Sequence, residues 1–139
     1  LGLDEILSRS VRTKPDINGM AVADDQRLKI LLWNYHDLLT ETDPASVRMV
    51  VRMPGGWEAR TRMLHYRIDD RHSNAYTKWI ELGLPQDPGP GALEELRTAM
   101  QLERLEPARF VDVMEGHVTL EFALPRFGLS LIVLERSPL

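Results

Sequence analysis

The sequence Val118-Thr119-Leu120-Glu121-Phe122-Ala123-Leu124 decides the fold class, because apolar side chains recur in it at every second position. Successive side chains of a β-strand point to opposite faces, so this period predicts a strand with one buried face. The same period runs through residues 47–53 and 64–69. We expect antiparallel pairing of these runs. The side chains expected to face the core are Val47, Met49, Val51, Met53, Leu64, Tyr66, Ile68, Val118, Leu120, Phe122 and Leu124.

Other stretches predict further strands. Residues 28–35 and 129–134 are apolar on both faces, which predicts central or doubly covered strands. Residues 17–23 and 109–114 have weaker strand patterns. Connectors that suit antiparallel hairpins separate several runs: Asp24-Asp25, Glu115-Gly116 and Pro125-Arg126-Phe127-Gly128. About seven or more short strands with turn signals between them predict a mainly β, antiparallel sandwich.

Between residue 73 and about residue 104 the period becomes helical. Tyr76, Trp79 and Ile80 share one helical face, and Ser73 is the expected N-cap. Gly83 suits the position after the helix end. The sequence therefore predicts a helical insertion within the sandwich.

A second helix is expected after the Pro- and Gly-rich connector 84–91. It begins near Pro90, with Glu94 and Glu95 expected in its first turn. Its expected apolar face contains Leu93, Leu96 and Met100. The insertion is thus predicted to contain two helices.

Composition limits the class of function. The 139 residues fit one domain, and the net charge of −4 argues against a nucleic-acid partner. The absence of cysteine excludes disulfides and thiolate chemistry. No apolar stretch approaches the roughly 18 residues of a membrane span, and residues 1–10 lack the pattern of a signal peptide. Because the chain does not begin with Met, we expect either a fragment of a longer polypeptide or a processed chain, and the compartment stays open.

Local motifs for catalysis, metal binding or cofactor binding are missing. The four histidines form no HExxH pair, and no Gly-rich phosphate loop is present. Glu94-Glu95 fits a solvated helix start, and Asp69-Asp70 lies at a strand end, where neighbouring side chains point to opposite faces. We therefore expect no catalytic residue, no metal and no cofactor.

Two stretches, 32–37 and 65–76, combine aromatic side chains with Asn, Asp and His. Aromatic rings and polar groups in this combination suit sugar contact, and they equally suit an interface between domains. The residue pattern leaves both alternatives open.

These stretches carry a family resemblance. Trp33-Asn34-Tyr35-His36-Asp37, His65-Tyr66-Arg67-Ile68-Asp69 and His72-Ser73-Asn74-Ala75-Tyr76 resemble, in this order and at these separations, the C-terminal part of glycoside hydrolase family 39, in its bacterial β-xylosidase branch. The resemblance runs through nearly the whole chain. It implies a β-sandwich that follows a catalytic (β/α)8 barrel, and a retaining reaction that uses two glutamates of that barrel. No residue of this chain matches either glutamate.

The resemblance therefore implies that residues 1–139 form a single non-catalytic accessory domain, without the barrel. Its expected partner is the barrel of the same polypeptide, with xylo-oligosaccharide contacted only indirectly. The expected compartment is the bacterial cytoplasm or periplasm. The candidate barrel-interface or pocket-rim residues are His65, His72, Ser73, Asn74 and Tyr76, and the connector 84–91 is a further candidate.

The strand pattern places His65 off the core face and His72 in a loop. Another possibility for Tyr76, Trp79 and Ile80 is that they attach the first helix to the sandwich.

A rival hypothesis is a free-standing carbohydrate-binding module. Trp57 follows Pro54-Gly55-Gly56 and is the tryptophan expected to be exposed, so it is the candidate sugar-stacking residue. Trp33 and Trp79 lie in patterns that predict burial. An independent small enzyme is disfavoured, because the catalytic constellation is missing.

Overall fold

The computed structural model describes residues 16–35, 42–57 and 60–136. The expectation for residues 1–10, and the positions of His36 and Asp37, lie outside these ranges. The elements in chain order are β1 (Ile17–Ala23), β2 (Arg27–Asn34), β3 (Ala45–Arg52), β4 (Arg60–Ile68), α1 (Ala75–Glu81), α2 (Pro90–Ala99), β5 (Glu103–Arg104), β6 (Arg109–Asp112), β7 (His117–Leu124) and β8 (Leu129–Arg136). No helix in the described ranges is long and apolar enough to cross a membrane.

Two antiparallel sheets form the fold. The larger sheet has the order β1-β2-β8-β4-β5, with β6 also paired to β4, and the smaller sheet is the pair β3-β7. The predicted mainly β, antiparallel sandwich with a two-helix insertion is thus confirmed. The two continuous apolar runs form β2 and β8, which occupy inner positions of the larger sheet, as predicted.

The core cluster contains side chains from both sheets. The larger sheet contributes Leu28, Ile30, Met63, Val111, Ile132 and Leu134, and the smaller sheet contributes Val118 and Leu120. Met49, Val51 and Phe122 pack against this cluster. The predicted inward faces of residues 47–53 and 118–124 are therefore confirmed.

The expected inward face of β4 is wrong. Thr61, Met63, His65 and Arg67 are buried, while Ile68 is exposed. Register with β8 explains the reversal: Met63 lies opposite Leu134 and His65 lies opposite Ile132. Directly paired residues share a face, so β4 takes its core face from β8.

The connectors differ in what they join. The turn around Asp24-Asp25 joins the paired strands β1 and β2, as predicted for a hairpin. Residues 125–128 instead carry the chain from β7 in the smaller sheet to β8 in the larger sheet. The Glu115-Gly116 turn, in which Gly116 has φ 75°, is closed by a bridge between Met114 and His117 but joins strands of different sheets.

The start of α1 differs from the expectation by one residue. Asn74 is the N-cap, and its side-chain oxygen accepts hydrogen bonds from the backbone N–H groups of Tyr76 and Thr77 at 3.0 and 3.2 Å. Ser73 has φ 54° and its hydroxyl is engaged elsewhere. Gly83 has φ 82° directly after the helix, as its position predicted.

The second helix begins at Pro90, as predicted, but its first turn contains no acidic residue. The expectation for Glu94 and Glu95 is therefore wrong, because both lie one turn further along. The helical insertion also ends earlier than residue 104, because residues 103–104 form β5 and pair with β4 at Tyr66 and Arg67.

Candidate functional site

The candidate residues follow one another along a single stretch of chain: the end of β4, the loop 69–74 and the first turn of α1. Their side chains do not share one surface. His65 faces the space between the sheets, the loop residues bond to one another, and Tyr76 is exposed.

Arg67 joins the two sheets. Its side chain is only 3% exposed, and its Nε donates a hydrogen bond to Ser130 Oγ at 3.2 Å. Its Nη2 donates to the carbonyl oxygen of Ala123 in β7 at 2.8 Å, and its Nη1 lies 3.5 Å from Asp69 Oδ2. Burial lowers the pKa of Arg67, and the carboxylate of Asp69 counteracts this by stabilising the cation. An arginine stays protonated even so, so a cation lies inside this end of the sandwich.

His65 is also buried, with 2% exposure. Its Nε2 lies 3.0 Å from Ser130 Oγ, its Nδ1 lies 3.7 Å from Glu106 Oε1, and its ring packs edge-on against Phe122 at 4.8 Å. Burial lowers the pKa of His65 to about 4, and the Arg67 cation acts in the same direction. His65 is thus neutral near pH 7, and its expected position off the core face is wrong.

The order Ser130, His65, Glu106 is that of a nucleophile, a base and an orienting carboxylate. Ser130 is fully buried, however, and Arg67 donates to the same hydroxyl. The hydroxyl is enclosed by the two sheets, where a substrate has no approach. We assign these contacts to the packing of the sandwich.

Asp69 organises the loop after β4. Its Oδ1 accepts hydrogen bonds from the backbone N–H groups of Arg71 and His72, both at 2.9 Å, and lies 2.8 Å from His72 Nδ1. Burial opposes ionisation of this carboxyl, but the hydrogen bonds from Arg71 and His72 outweigh it, so the pKa of Asp69 is lowered. The carboxylate therefore stays ionised and holds the loop.

Ser73 and Asn74 tie the same loop to its neighbours. The Ser73 hydroxyl donates to the carbonyl oxygen of Arg67 and accepts from the backbone N–H of Glu103, both at 2.8 Å. Asn74 Nδ2 donates to the carbonyl oxygen of Asp69 at 2.8 Å. These side chains position the start of α1 and the strand β5.

The expected exposure of Trp57 is wrong. Its side chain is 5% exposed and belongs to the core cluster. The turn at Pro54-Gly55-Gly56 reverses the chain, with Gly56 at φ 81° and the Trp57 N–H donating to the carbonyl oxygen of Pro54 at 3.3 Å. The turn thus directs the indole inward, which removes the exposed aromatic residue proposed for a free-standing module. Trp33 and Trp79, expected to be buried, are each partly exposed.

Several apolar side chains of the helical insertion are exposed, among them Tyr76 and Leu84, which belong to the interface candidates named from the sequence. Neither helix has a buried residue. Tyr76 is 65% exposed, and Ile80 is also exposed, so these two do not attach α1 to the sandwich. Trp79 contacts the Tyr76 ring and donates from Nε1 to the carbonyl oxygen of Pro85 at 2.9 Å. We call Tyr76, Ile80, Leu84, Leu93, Met100 and Leu102 the helical surface.

Within residues 16–35, 42–57 and 60–136, no group of three or more His, Asp or Glu side chains is arranged to hold a metal ion.

Comparison with known proteins gives matches among solved structures. No protein-family description matches the chain, and no curated protein matches it. The glycoside hydrolase family 39 enzyme from Xanthomonas axonopodis pv. citri shares 22% identity, with a TM-score of 0.72 over 86% of this chain and 26% of its own. The bacterial orthologue of human α-L-iduronidase shares 20% identity, with a TM-score of 0.72 over 88% of this chain and 22% of its own.

A monomeric β-xylosidase from Caulobacter crescentus CB15 shares 19% identity, with a TM-score of 0.63 over 85% of this chain and 26% of its own. This chain thus spans about a quarter of the length of the structures it matches. Its fold is the fold of one part of these larger enzymes, which confirms at the level of the fold the resemblance to glycoside hydrolase family 39 that the sequence motifs predicted.

Proposed function

We propose that residues 1–139 form a single non-catalytic accessory domain of a retaining glycoside hydrolase of the β-xylosidase type. The domain packs against the catalytic (β/α)8 barrel of the same polypeptide and stabilises it. The observation that carries this proposal is the helical surface, on which six apolar side chains are exposed.

Short helices need a packing partner. α1 has seven residues and α2 has ten, and isolated helices shorter than about 12–15 residues are marginal in water. Most helices gain their stability by burying an apolar face. Neither helix here buries a residue within the described chain. A surface outside the described residues is therefore needed to cover Tyr76, Ile80 and Leu84.

The barrel of the same polypeptide is the partner that fits. The matched structures are about four times as long as the region they share with this chain, which leaves room for a catalytic domain in each. Intrachain domain interfaces are often partly polar, and the helical surface lies beside the hydrogen-bonded loop of His72, Ser73 and Asn74. These three residues position the surface. We propose that the same loop contributes to the rim of the barrel's pocket.

The activity test uses the 139-residue chain alone with aryl β-xylosides. We expect no hydrolysis above background, because the acid/base and the nucleophile belong to the barrel. Steady turnover that survives purification and is abolished by one Asp, Glu or His substitution in this chain would overturn the proposal.

The packing test uses Ile80→Glu on the helical surface and Val50→Glu as the matched control, since Val50 is exposed on the smaller sheet. In the isolated chain both changes should shift the free energy of unfolding by at most about 0.5 kcal/mol, as exposed positions usually do. In the longer polypeptide only Ile80→Glu should speed thermal inactivation, because it buries a carboxylate against the barrel. Equal behaviour of the two variants there would contradict the proposed interface.

A further inference from the structure

A small aromatic cleft lies where β2 ends and β8 begins. We call it the aromatic cleft. Its volume is about 250 Å³, and it is lined by Trp33, Asn34, Tyr35, Phe127, Gly128 and Leu129. These lining residues include no Asp, Glu, His, Lys or Arg, so the lining suits an uncharged ligand.

Two exposed rings form its wall. Tyr35 and Phe127 are both exposed, their ring centroids are 6.1 Å apart and their planes meet at 80°. Edge-to-face contact is a favourable aromatic arrangement, so each ring holds the other in place. Apolar rings that are fixed and still open to solvent are typical of binding surfaces.

The backbone at Phe127 is strained. Its φ is 61°, a left-handed conformation that disfavours bulky residues. Two backbone hydrogen bonds hold it there: Phe127 N–H to Asn34 O at 2.6 Å, and Asn34 N–H to Gly128 O at 3.1 Å. A glycine would fit this φ at lower cost. Strain of this kind clusters at functional sites, which indicates that the position of the Phe127 ring matters.

Asn34 supplies a polar group at the cleft. Its side chain is buried, with 4% exposure, and its Nδ2 donates to the carbonyl oxygen of Leu124 at 3.1 Å. In residues 16–35, 42–57 and 60–136, no donor contacts its Oδ1. A buried acceptor without a donor is costly, and a ligand hydroxyl would satisfy it.

We propose that the aromatic cleft binds one pyranose ring of a neutral oligosaccharide. The C–H face of the sugar lies on one of the two rings, Tyr35 or Phe127, and its edge lies against the other, because the ring planes meet at 80°. One sugar hydroxyl donates to Asn34 Oδ1. The cleft is smaller than the roughly 300–1,000 Å³ of sites for drug-sized ligands, so it suits a single ring. This direct contact goes beyond the packing role of the domain.

The test titrates the 139-residue chain with xylotriose and follows the heat of binding. Phe127→Gly removes the ring and relieves the left-handed strain, so the fold is retained. Tyr35→Ala removes the second ring, and Tyr76→Ala is the control, since it removes an exposed aromatic ring from the helical surface. We expect millimolar binding that weakens about tenfold or more in each cleft variant and is unchanged in the control.

Two results would overturn the proposal. One is that neither xylotriose nor cellotriose binds. The other is that Phe127→Gly and Tyr35→Ala leave sugar binding intact. If these variants also destabilise the longer polypeptide, the cleft contacts protein and not sugar.

The choice of xylotriose rests on the proposed β-xylosidase-type function. Cellotriose tests sugar binding at the cleft separately from that function. Binding of cellotriose alone, with loss in the cleft variants, supports the cleft and contradicts the xyloside assignment. Failure of the helical-surface test leaves the result at the cleft unaffected.

Discussion

Replacing Arg67 by Met tests the reversed face of β4 most directly. Methionine keeps most of the side-chain volume but removes the donors to Ser130 Oγ, the Ala123 carbonyl oxygen and Asp69. Breaking a buried ion pair from one side typically costs about 3–5 kcal/mol, because the other charge stays buried. Domains of this size are stable by only about 5–15 kcal/mol. The substitution should therefore remove a large fraction of the total stability.

The matched control is Arg62→Met, on the same strand but on the opposite face. Arg62 is exposed and pairs with Glu135 at 2.9 Å, and Glu135 also contacts Arg27. Exposed ion pairs contribute about 0–1 kcal/mol, so this change should be nearly silent.

The measurement is urea unfolding of the 139-residue chain, followed by circular dichroism. We expect a much lower midpoint for Arg67→Met, with the dependence on urea unchanged. Equal losses for the two variants, or a loss below about 1 kcal/mol for Arg67→Met, would refute the inward placement of Arg67 and the link that it makes between the sheets.

Three further predictions test other contacts. Because burial lowers the pKa of His65 from 6.5 to about 4, the unfolded chain binds the proton more readily. The free energy of unfolding should therefore fall by up to about 3 kcal/mol as the pH drops from 6.5 to about 4. Urea unfolding at several pH values should show a weaker pH dependence for His65→Gln. An equally steep pH dependence in this variant would contradict the prediction. Gly128→Ala should destabilise by about 1–3 kcal/mol, because its Cβ would lie 2.9 Å from the carbonyl oxygen of Pro125, whereas Gly91→Ala, with no atom within 4 Å, should stabilise α2 by about 0.5–1 kcal/mol. A change of melting temperature in the same direction for both variants would contradict the close packing at Gly128. Trp57→Ala should lower the free energy of unfolding by about 3–5 kcal/mol, because the indole is in the core. A melting temperature close to that of the parent chain would instead indicate that Trp57 is exposed.

The aromatic cleft and the helical surface imply a division of labour. The helical surface is built from α1, α2 and the segments beside them, and the cleft is built from the ends of β2 and β8. If both proposals hold, the domain contacts its barrel through one region and sugar through another. Substitutions at Ile80 and at Phe127 should then have independent effects.

The sequence by itself determined the strands and the fold class. A period of two is a local property of the chain, so it identified residues 47–53 and 118–124 together with their inward faces, and both were confirmed. Continuous apolar runs likewise predicted the inner positions of β2 and β8. Pro90 and Gly83 located helix ends, because their backbone preferences do not depend on distant contacts.

Only the tertiary structure decided which face of β4 is inside. In β4, Leu64, Tyr66 and Ile68 alternate with His65 and Arg67. The pattern therefore predicts that the apolar side chains face the core. The polar set is buried because Ser130 in β8 and the Ala123 carbonyl oxygen in β7 complete its hydrogen bonds. These partners are more than fifty residues away in the sequence, so no local pattern contains them.

The same reason applies to the surfaces on which function depends. Trp57 turns inward because residues of other strands form the core around it. The helical surface is exposed because no described part of the chain buries α1 or α2. The aromatic cleft exists because the ends of β2 and β8, almost a hundred residues apart in the chain, are held together by hydrogen bonds between Asn34 and the 127–128 turn. Periodicity assigns a side chain to one face of its element, and the packing of distant elements decides whether that face meets protein or solvent.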